Sequence, residues 1–257
     1  MSTAVHYVID GPAEGSPVVL SGSLGSDLRM WEPQVSALTE AGYRVVRFDH
    51  RGHGGSPVPT GPYTLADLGG DTVALLDRLG IATADFVGLS LGGMVGMWLA
   101  QHAPDRLRTL TLCCTSAELG PPSGWAERAR LVRAEGTQAI ASAAAQRWFS
   151  EAWRAANPER MRHYEAMIAA TPAEGYASCC AAIETMDIAA GLTRITAPTL
   201  VISGNEDPAT PPGHGRRIAA EIPGARFEIL SPGAHLASAE QPGAINDLII
   251  EQLKDHA

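Results

Sequence analysis

The sequence predicts an α/β fold with a mostly parallel, doubly wound sheet, and two observations support this prediction. Short, continuously apolar runs recur along the chain, and patterns typical of helices lie between them. Such runs are typical of parallel strands buried on both faces, and alternation with helices favours right-handed crossovers. Ligand sites on such sheets form at the carboxyl ends of the strands.

The predicted strands are rich in branched residues and cover residues 18–20, 45–48, 86–89, 110–112, 200–202 and 226–230. Between the second and third of them, Thr64 and Asp67 have the spacing of a capping box, and Gly80 supplies a helix stop. The helix expected directly after Ser90 is apolar on nearly every side. We therefore expect that helix to lie in the interior.

The strand and helix alternation stops after Cys114. Residues 120–192 are rich in alanine, with aromatic residues and arginines, and contain no strand signal. An insert of about seventy residues without a strand is unusual for a connection. We predict a helical cap at 120–192 over a core formed by 1–119 and 193–257, the alternative being helices that belong to the main layer.

Composition narrows the functional classes. The chain has 257 residues, 45% hydrophobic residues and a net charge of −9, without a lysine- or arginine-rich run. Nucleic acids and anionic membranes need clustered positive charge, so neither is an expected partner. The N-terminus lacks a signal-peptide pattern, and no apolar stretch has the length of a membrane span, so we expect a cytoplasmic protein. Oligomeric state has no signal in the sequence.

The four cysteines form two adjacent pairs, Cys113 with Cys114 and Cys179 with Cys180. Adjacent cysteines do not have the C-x-x-C spacing of zinc sites, so no metal site is expected. A reducing cytoplasm also disfavours disulfides. We interpret all four as small buried residues.

Ser90 has the sequence context of a catalytic nucleophile. It lies within Gly88-Leu89-Ser90-Leu91-Gly92, after an apolar strand and before an apolar helix. Glycines two places on either side permit the sharp turn that exposes the serine hydroxyl, which is the nucleophile elbow. The helix N-terminus that follows favours the negative oxygen formed during attack. The alternative is a glycine-rich turn with an incidental serine.

A serine nucleophile needs a base and an orienting acid, which follow it in the order acid, then histidine. Asp207 and His235 each come just after consecutive predicted strands. Glu206 is a rival acid, but Pro208 should fix the turn after Asp207. Four other histidines lie in turns or near helix ends and are interpreted as structural or solvated: His50, His53, His102 and His214.

An oxyanion hole completes this chemistry. One donor is expected to be the backbone N–H of Leu91, the residue after the nucleophile. The other is expected from the glycine-containing loop after the strand at 18–20, where Ser23 is the first choice and Leu24 the second. Both donors are backbone groups, so their side chains are not constrained by this role.

Several segments carry a family resemblance. Residues 49–56 match the D-x-R-G-x-G-x-S turn of α/β-hydrolases, and the chain resembles that family along almost its full length. Residues 88–96, 112–117, 147–149 and 234–236, with Glu240-Gln241-Pro242, are similar to 3-oxoadipate enol-lactonases. The usual His-Gly before the oxyanion loop is Ser21-Gly22 here, which is compatible with those lactonases.

The resemblance implies an α/β-hydrolase fold and cofactor-free hydrolysis of a small monocarboxylate lactone, 3-oxoadipate enol-lactone, in aromatic catabolism. The substrate carboxylate requires a local cation, because the protein is net negative. Arg133 and Arg147 are the candidates, since arginine binds carboxylates through two hydrogen bonds. Leu24, Trp125 and Trp148 are candidate pocket residues, although aromatics at helical spacing also form cap cores.

The sequence leaves two other classes of function open. A broad carboxylesterase or cofactor-free perhydrolase would keep the same three catalytic residues and hydrolyse aryl esters better than the lactone. A ligand receptor on the same fold would bind without turnover. Fold alone does not decide among these functions.

Overall fold

The computed structural model describes residues 2–256 and contains one seven-stranded sheet with the strand order β1-β3-β2-β4-β5-β6-β7. β1 pairs antiparallel with β3, and every other neighbouring pair is parallel. The strands are β1 Tyr7–Asp10, β2 Pro17–Ser21, β3 Arg44–Phe48, β4 Ala84–Leu89, β5 Leu107–Cys113, β6 Thr199–Gly204 and β7 Arg226–Leu230. The predicted mostly parallel sheet is confirmed.

Eleven α-helices lie within residues 2–256. They are α1 Glu32–Glu40, α2 Leu65–Arg78, α3 Leu91–His102, α4 Pro122–Glu135, α5 Gln138–Trp148, α6 Glu151–Ala156, α7 Pro158–Ala169, α8 Ala173–Glu184, α9 Pro212–Glu221, α10 Ala237–Glu240 and α11 Pro242–Asp255. Short 3₁₀ helices cover Leu28–Trp31, Pro104–Arg106 and Ala189–Arg194. None of the described helices is both long and apolar enough to cross a membrane.

The core has two layers because neighbouring residues of a strand face opposite sides of the sheet. Val19 and Phe86 pack into one apolar cluster with residues of α2, α3 and α9. Val18 and Val87 pack into the other cluster, with residues of α1 and α11. The runs of consecutive buried residues that predicted the strands therefore reflect coverage of both faces.

Helix α2 begins and ends where the sequence indicated. The Thr64 hydroxyl accepts from the Asp67 backbone N–H at 3.1 Å, and the Asp67 carboxylate accepts from the Thr64 backbone N–H at 2.9 Å. This is the reciprocal capping box. Gly80, with φ of +67°, follows the helix in a conformation that favours glycine.

β1 is the strand that sequence reasoning missed. Its four residues are all half-buried, so the sequence shows neither a continuous buried run nor a clean alternation. It pairs on one side only, with β3, at the edge of the sheet. Short edge strands depend on tertiary pairing more than on local pattern.

Five helices, α4 to α8, lie between β5 and β6, and the described part of the chain has no strand in that interval. Their mutual packing is helix against helix, chiefly α4 with α8 and α5 with α7. The division into a core of 1–119 and 193–257 and a cap of 120–192 stays a prediction. Three of these helices, α4, α5 and α8, matter for the site because they line its cavity.

Candidate active site

Ser90 occupies a strained turn between β4 and α3. Its φ is +58° and its ψ is −113°, a conformation that L-residues rarely adopt. Three hydrogen bonds hold this backbone: Ser90 N–H to Cys113 O at 2.9 Å, Met94 N–H to Ser90 O at 3.0 Å, and Thr115 Oγ1 to Ser90 O at 2.7 Å. The neighbouring strand β5 and the loop after it therefore fix the turn.

The flanking glycines are required by close backbone contacts. A Cβ atom on Gly88 would lie 2.3 Å from the Gly92 carbonyl oxygen, and one on Gly92 would lie 2.0 Å from the Ser21 carbonyl oxygen. A side chain at Gly88 would force β4 away from the start of α3, and one at Gly92 would push the turn away from the end of β2. The glycine pattern around Ser90 thus has a steric cause in the structure.

Ser90 is nearly buried and lies at a cavity. The residue is 8% exposed and lines the cavity, together with His235. Within residues 2–256 the Ser90 hydroxyl has no hydrogen-bond partner. The side chain is thus available to a ligand, and hydrogen bonds between a nucleophile and its base often tighten only when substrate binds.

His235 is oriented by a buried carboxylate. Its Nδ1 atom lies 2.8 Å from Asp207 Oδ2, and both side chains are buried. Asp207 also accepts from the backbone N–H groups of Ala209 at 2.8 Å and Thr210 at 3.0 Å, and from the Thr210 hydroxyl at 2.7 Å. Glu206 is exposed, so the structure places Asp207 and not its neighbour against the imidazole.

These contacts keep Asp207 ionised. Burial alone would raise the pKa of its carboxyl, but His235 and the Thr210 donors outweigh burial and hold the pKa below its usual value. An ionised Asp207 accepts a hydrogen bond from the Nδ1–H group, which leaves Nε2 as the nitrogen with a free lone pair. Thr210 was not identified from the sequence, although a hydroxyl three residues after a turn aspartate is a recognisable signal.

The expected oxyanion donors lie beside Ser90. Leu91 begins α3, and Ser23 and Leu24 line the cavity. The Gly92 N–H donates to Gly22 O at 2.9 Å, which brings the Ser23 loop against the elbow. Among the residues that the structure describes, the Ser23 N–H donates only to the Met30 Sδ atom, at 3.3 Å. A thioether is a weak acceptor, so this N–H is available as a donor to a stronger acceptor of a bound ligand.

Two of the histidines that were interpreted as structural or solvated bind the same loop, the one that carries Ser23. Gly25 N–H donates to His53 Nε2 at 3.0 Å, and His50 Nε2 donates to Gly22 O at 3.1 Å. Burial is the main cause that lowers the pKa of each imidazole to about 4. Both rings are therefore neutral at pH 7, as the acceptor role of His53 requires.

The cavity has a volume of about 260 Å³. Four predicted pocket residues line it, namely Leu24, Trp125, Arg147 and Trp148. It is bounded by the ends of the strands on one side and by helices α4, α5 and α8 on the other. A small organic acid or ester fits such a space.

Arg133 does not lie in the cavity. Its Nε atom is 2.9 Å from Glu174 Oε2, in a half-exposed ion pair between α4 and α8. Arg128, on the same helix, lines the cavity instead, with its guanidinium 5.2 Å from the centre of the Trp125 ring. Trp125 and Arg128 are three residues apart and share one helix face, which is the signal that would have selected Arg128.

Arg128 and Arg147 form a cationic patch in the cavity wall. Burial is the largest cause that lowers the pKa of the Arg147 guanidinium, and repulsion from Arg128 lowers it further. Neither arginine forms an ion pair with a carboxylate in the part of the chain that the structure describes. Two neighbouring guanidinium groups without an acidic partner favour an anionic ligand.

Comparison with known proteins agrees with this geometry. Residues 16–242 match the family described as the alpha/beta hydrolase fold. The chain therefore belongs to the alpha/beta hydrolase family.

Within that family, the chain is 39% identical over 251 residues to 3-oxoadipate enol-lactonase 2 of Acinetobacter baylyi, covering 98% of this chain and 93% of that protein. The crystal structure of the enol-lactonase from Burkholderia xenovorans LB400 matches with a TM-score of 0.95 and 42% identity, covering 97% and 96% of the two chains. A putative carbamate hydrolase of Variovorax paradoxus is 33% identical, covering 97% of this chain and 96% of that protein. The resemblance to enol-lactonases is confirmed.

Proposed function

We propose that this chain is a serine hydrolase that opens the lactone ring of 3-oxoadipate enol-lactone to give 3-oxoadipate. The observation that carries the proposal is the shared cavity, which is lined by Ser90, by the Asp207-oriented His235 and by an arginine pair that has no acidic partner among residues 2–256. The enol-lactonase relatives support the choice of substrate.

The reaction starts when Ser90 Oγ attacks the lactone carbonyl carbon and His235 Nε2 takes the hydroxyl proton. The carbonyl oxygen becomes negative and accepts from the backbone N–H groups of Leu91 and Ser23. The Ser23 N–H gives up its weak thioether contact for a charged oxygen, so the interaction strengthens as the negative charge develops.

The ring then opens because the bond between the acyl carbon and the ring oxygen breaks. The leaving group is an enolate, which is a better leaving group than a simple alkoxide, and His235 returns the proton to it. A water molecule, deprotonated by the same imidazole, attacks the acyl-enzyme and releases Ser90. The enol becomes the ketone of 3-oxoadipate, so the net reaction consumes one water and needs no cofactor.

The arginine pair, Arg128 and Arg147, favours a substrate that carries a carboxylate. The lactone carries one carboxylate, and Arg128 and Arg147 are the cations of the cavity wall. Their guanidinium groups would hold that carboxylate and turn the lactone carbonyl toward Ser90. Trp125 and Trp148 provide apolar surface for the ring. The net charge of −9 makes this local positive charge necessary for an anionic substrate.

The proposal includes a cytoplasmic location. All four cysteines are free thiols with buried side chains, which suits a reducing compartment.

The test is to follow the loss of enol-lactone absorbance with purified protein, beside a panel of neutral aryl esters. The lactonase proposal expects the larger kcat/KM for the lactone. A larger value for the aryl esters would favour a broad carboxylesterase, and saturable binding without turnover would favour a receptor. Ser90→Ala serves as the control for contaminating hydrolase.

A further inference from the structure

A second set of hydrogen bonds joins the catalytic histidine loop to the helical insert. The Leu236 N–H donates to Trp148 O at 2.7 Å. The Glu240 carboxylate accepts from Ala234 N–H at 2.9 Å and from Ser150 N–H at 3.3 Å, and it also accepts from the Ser150 hydroxyl. We call these contacts the Glu240 bridge.

The Glu240 bridge holds the residues on both sides of His235 in the chain. The Ala234 N–H donates to the Glu240 carboxylate, and the Leu236 N–H donates to the Trp148 carbonyl oxygen. On the other side, Trp148 lines the cavity. The position of the base and the position of one cavity wall are therefore fixed by the same contacts.

Glu240 is an unusual residue for a purely structural contact. It is 7% exposed, and no cation pairs with it among residues 2–256. Burying a carboxylate costs several kcal/mol unless donors compensate for the lost water. In the described part of the chain the compensating donors are those of Ala234 and Ser150, so the carboxylate is bound to the histidine loop and to the segment before α6.

We propose that Glu240 is a positioning residue that holds His235 within reach of Ser90. It also fixes the loop that carries His235 against the segment of Trp148 and Ser150, in which Trp148 lines the cavity. Glu240 does not touch the reacting atoms and acts through the backbone of Ala234 and through Ser150. The inference is independent of which ester the chain hydrolyses, because it concerns only how the base is placed.

The test uses a fluorophosphonate, which reacts with an activated serine. The Ser90 Oγ–P bond forms, the P–F bond breaks, fluoride leaves and His235 takes the proton. Glu240→Met keeps the size of the side chain but removes its oxygens. We expect the saturating labelling rate to fall about 10- to 100-fold, the cost of a misplaced catalytic group, with an unchanged half-saturating concentration.

Conservative rescue separates positioning from simple packing. Glu240→Gln keeps an oxygen that accepts from Ala234 N–H and an amide that donates to the Ser150 hydroxyl, so we expect labelling within about threefold of wild type. Glu159→Met is the control, because Glu159 is 90% exposed and its one ion pair within residues 2–256 is with Arg162, at 3.7 Å. It should label at the wild-type rate.

Glu240→Met is the deciding variant if circular dichroism and thermal unfolding show that it is folded. If Glu240→Met is not folded, Glu240→Asp is the deciding variant. Its carboxylate is one methylene too short to reach both partners, so we expect this variant to be labelled about tenfold more slowly. A wild-type labelling rate in the deciding variant, or a loss in Glu240→Gln as large as in that variant, overturns the proposal. Because labelling needs no lactone, a failure here is distinct from a failure of the lactonase assignment.

Discussion

The His53 Nε2 atom lies 3.0 Å from the backbone nitrogen of Gly25 and accepts its hydrogen bond. The other ring nitrogen lies 3.2 Å from the Arg51 carbonyl oxygen and donates to it. One neutral tautomer satisfies both contacts, and protonation of the ring would destroy the first. The loop that carries Ser23 is thus held by a histidine that must remain uncharged.

This requirement predicts acid sensitivity. The pKa of His50 and of His53 is about 4 in the folded protein, below the ordinary value of 6.5. The unfolded chain therefore binds more protons than the folded chain between these pH values, so the free energy of unfolding is highest above pH 6.5 and falls as the pH is lowered toward 4. The expected loss is about 3 kcal/mol for each histidine.

Urea unfolding at pH 7.5, 5.5 and 4.5 measures this effect. His53→Gln is the matched variant, because a glutamine oxygen can still accept from Gly25 N–H but does not titrate. We expect a smaller decrease in stability between pH 7.5 and 4.5 in His53→Gln than in wild type. Equal decreases in both proteins would contradict the assignment of the acid sensitivity to His53.

Ser90→Ala tests the nucleophile. We expect hydrolysis to fall by about a millionfold, because the loss of a serine nucleophile removes covalent catalysis altogether. The measurement is lactone turnover at high enzyme concentration. Ser23→Ala is the control, since the role of Ser23 requires only its backbone N–H, and it should retain most of the activity. Turnover by Ser90→Ala at the wild-type rate would contradict the proposed mechanism.

Asp207→Asn tests the orientation of the base. An asparagine amide can donate to Nδ1, which would leave the proton on Nε2 and block its role as a base. We expect kcat to fall by about 10⁴-fold, as in other serine hydrolases with this change. The neighbouring Glu206→Gln, at an exposed position, should leave kcat unchanged. A comparable loss in both variants would argue against Asp207 as the orienting acid.

Arg128→Gln and Arg147→Gln test the anion site. We expect each to raise KM for the lactone about tenfold or more, the effect of losing one charge-assisted hydrogen bond, and to leave KM for a neutral aryl ester unchanged. Arg133→Gln is the matched control, because Arg133 pairs with Glu174 outside the cavity. If Arg133→Gln raised KM for the lactone as much as the two cavity variants, the assignment of the carboxylate site to Arg128 and Arg147 would be wrong.

Local patterns in the sequence were enough to predict most of the sheet and the elbow. The strands buried on both faces are continuous apolar runs, and the steric demands around Ser90 appear as glycines at fixed spacing. β1 was not predicted because it is short, half-buried and paired on one side only.

Sequence reasoning was weakest where contacts join distant segments. Arg128 and Arg133 lie on the same helix, and where α4 packs against α8, Arg133 pairs with Glu174 while Arg128 lines the cavity. Ser150 and Glu240 are 90 positions apart, so no local pattern relates them. Residues of this kind need the tertiary structure to be recognised.

The bond between Leu236 and Trp148 also limits how this scaffold can be engineered. Replacing the helical insert with that of another hydrolase would alter substrate selectivity without touching Ser90. Such a chimera must still present a carbonyl at the position of Trp148 and a hydroxyl at the position of Ser150. The carbonyl holds Leu236 directly, and the hydroxyl holds Glu240, which in turn binds Ala234 on the other side of His235. Inserts that lack these two groups should give folded but slow catalysts.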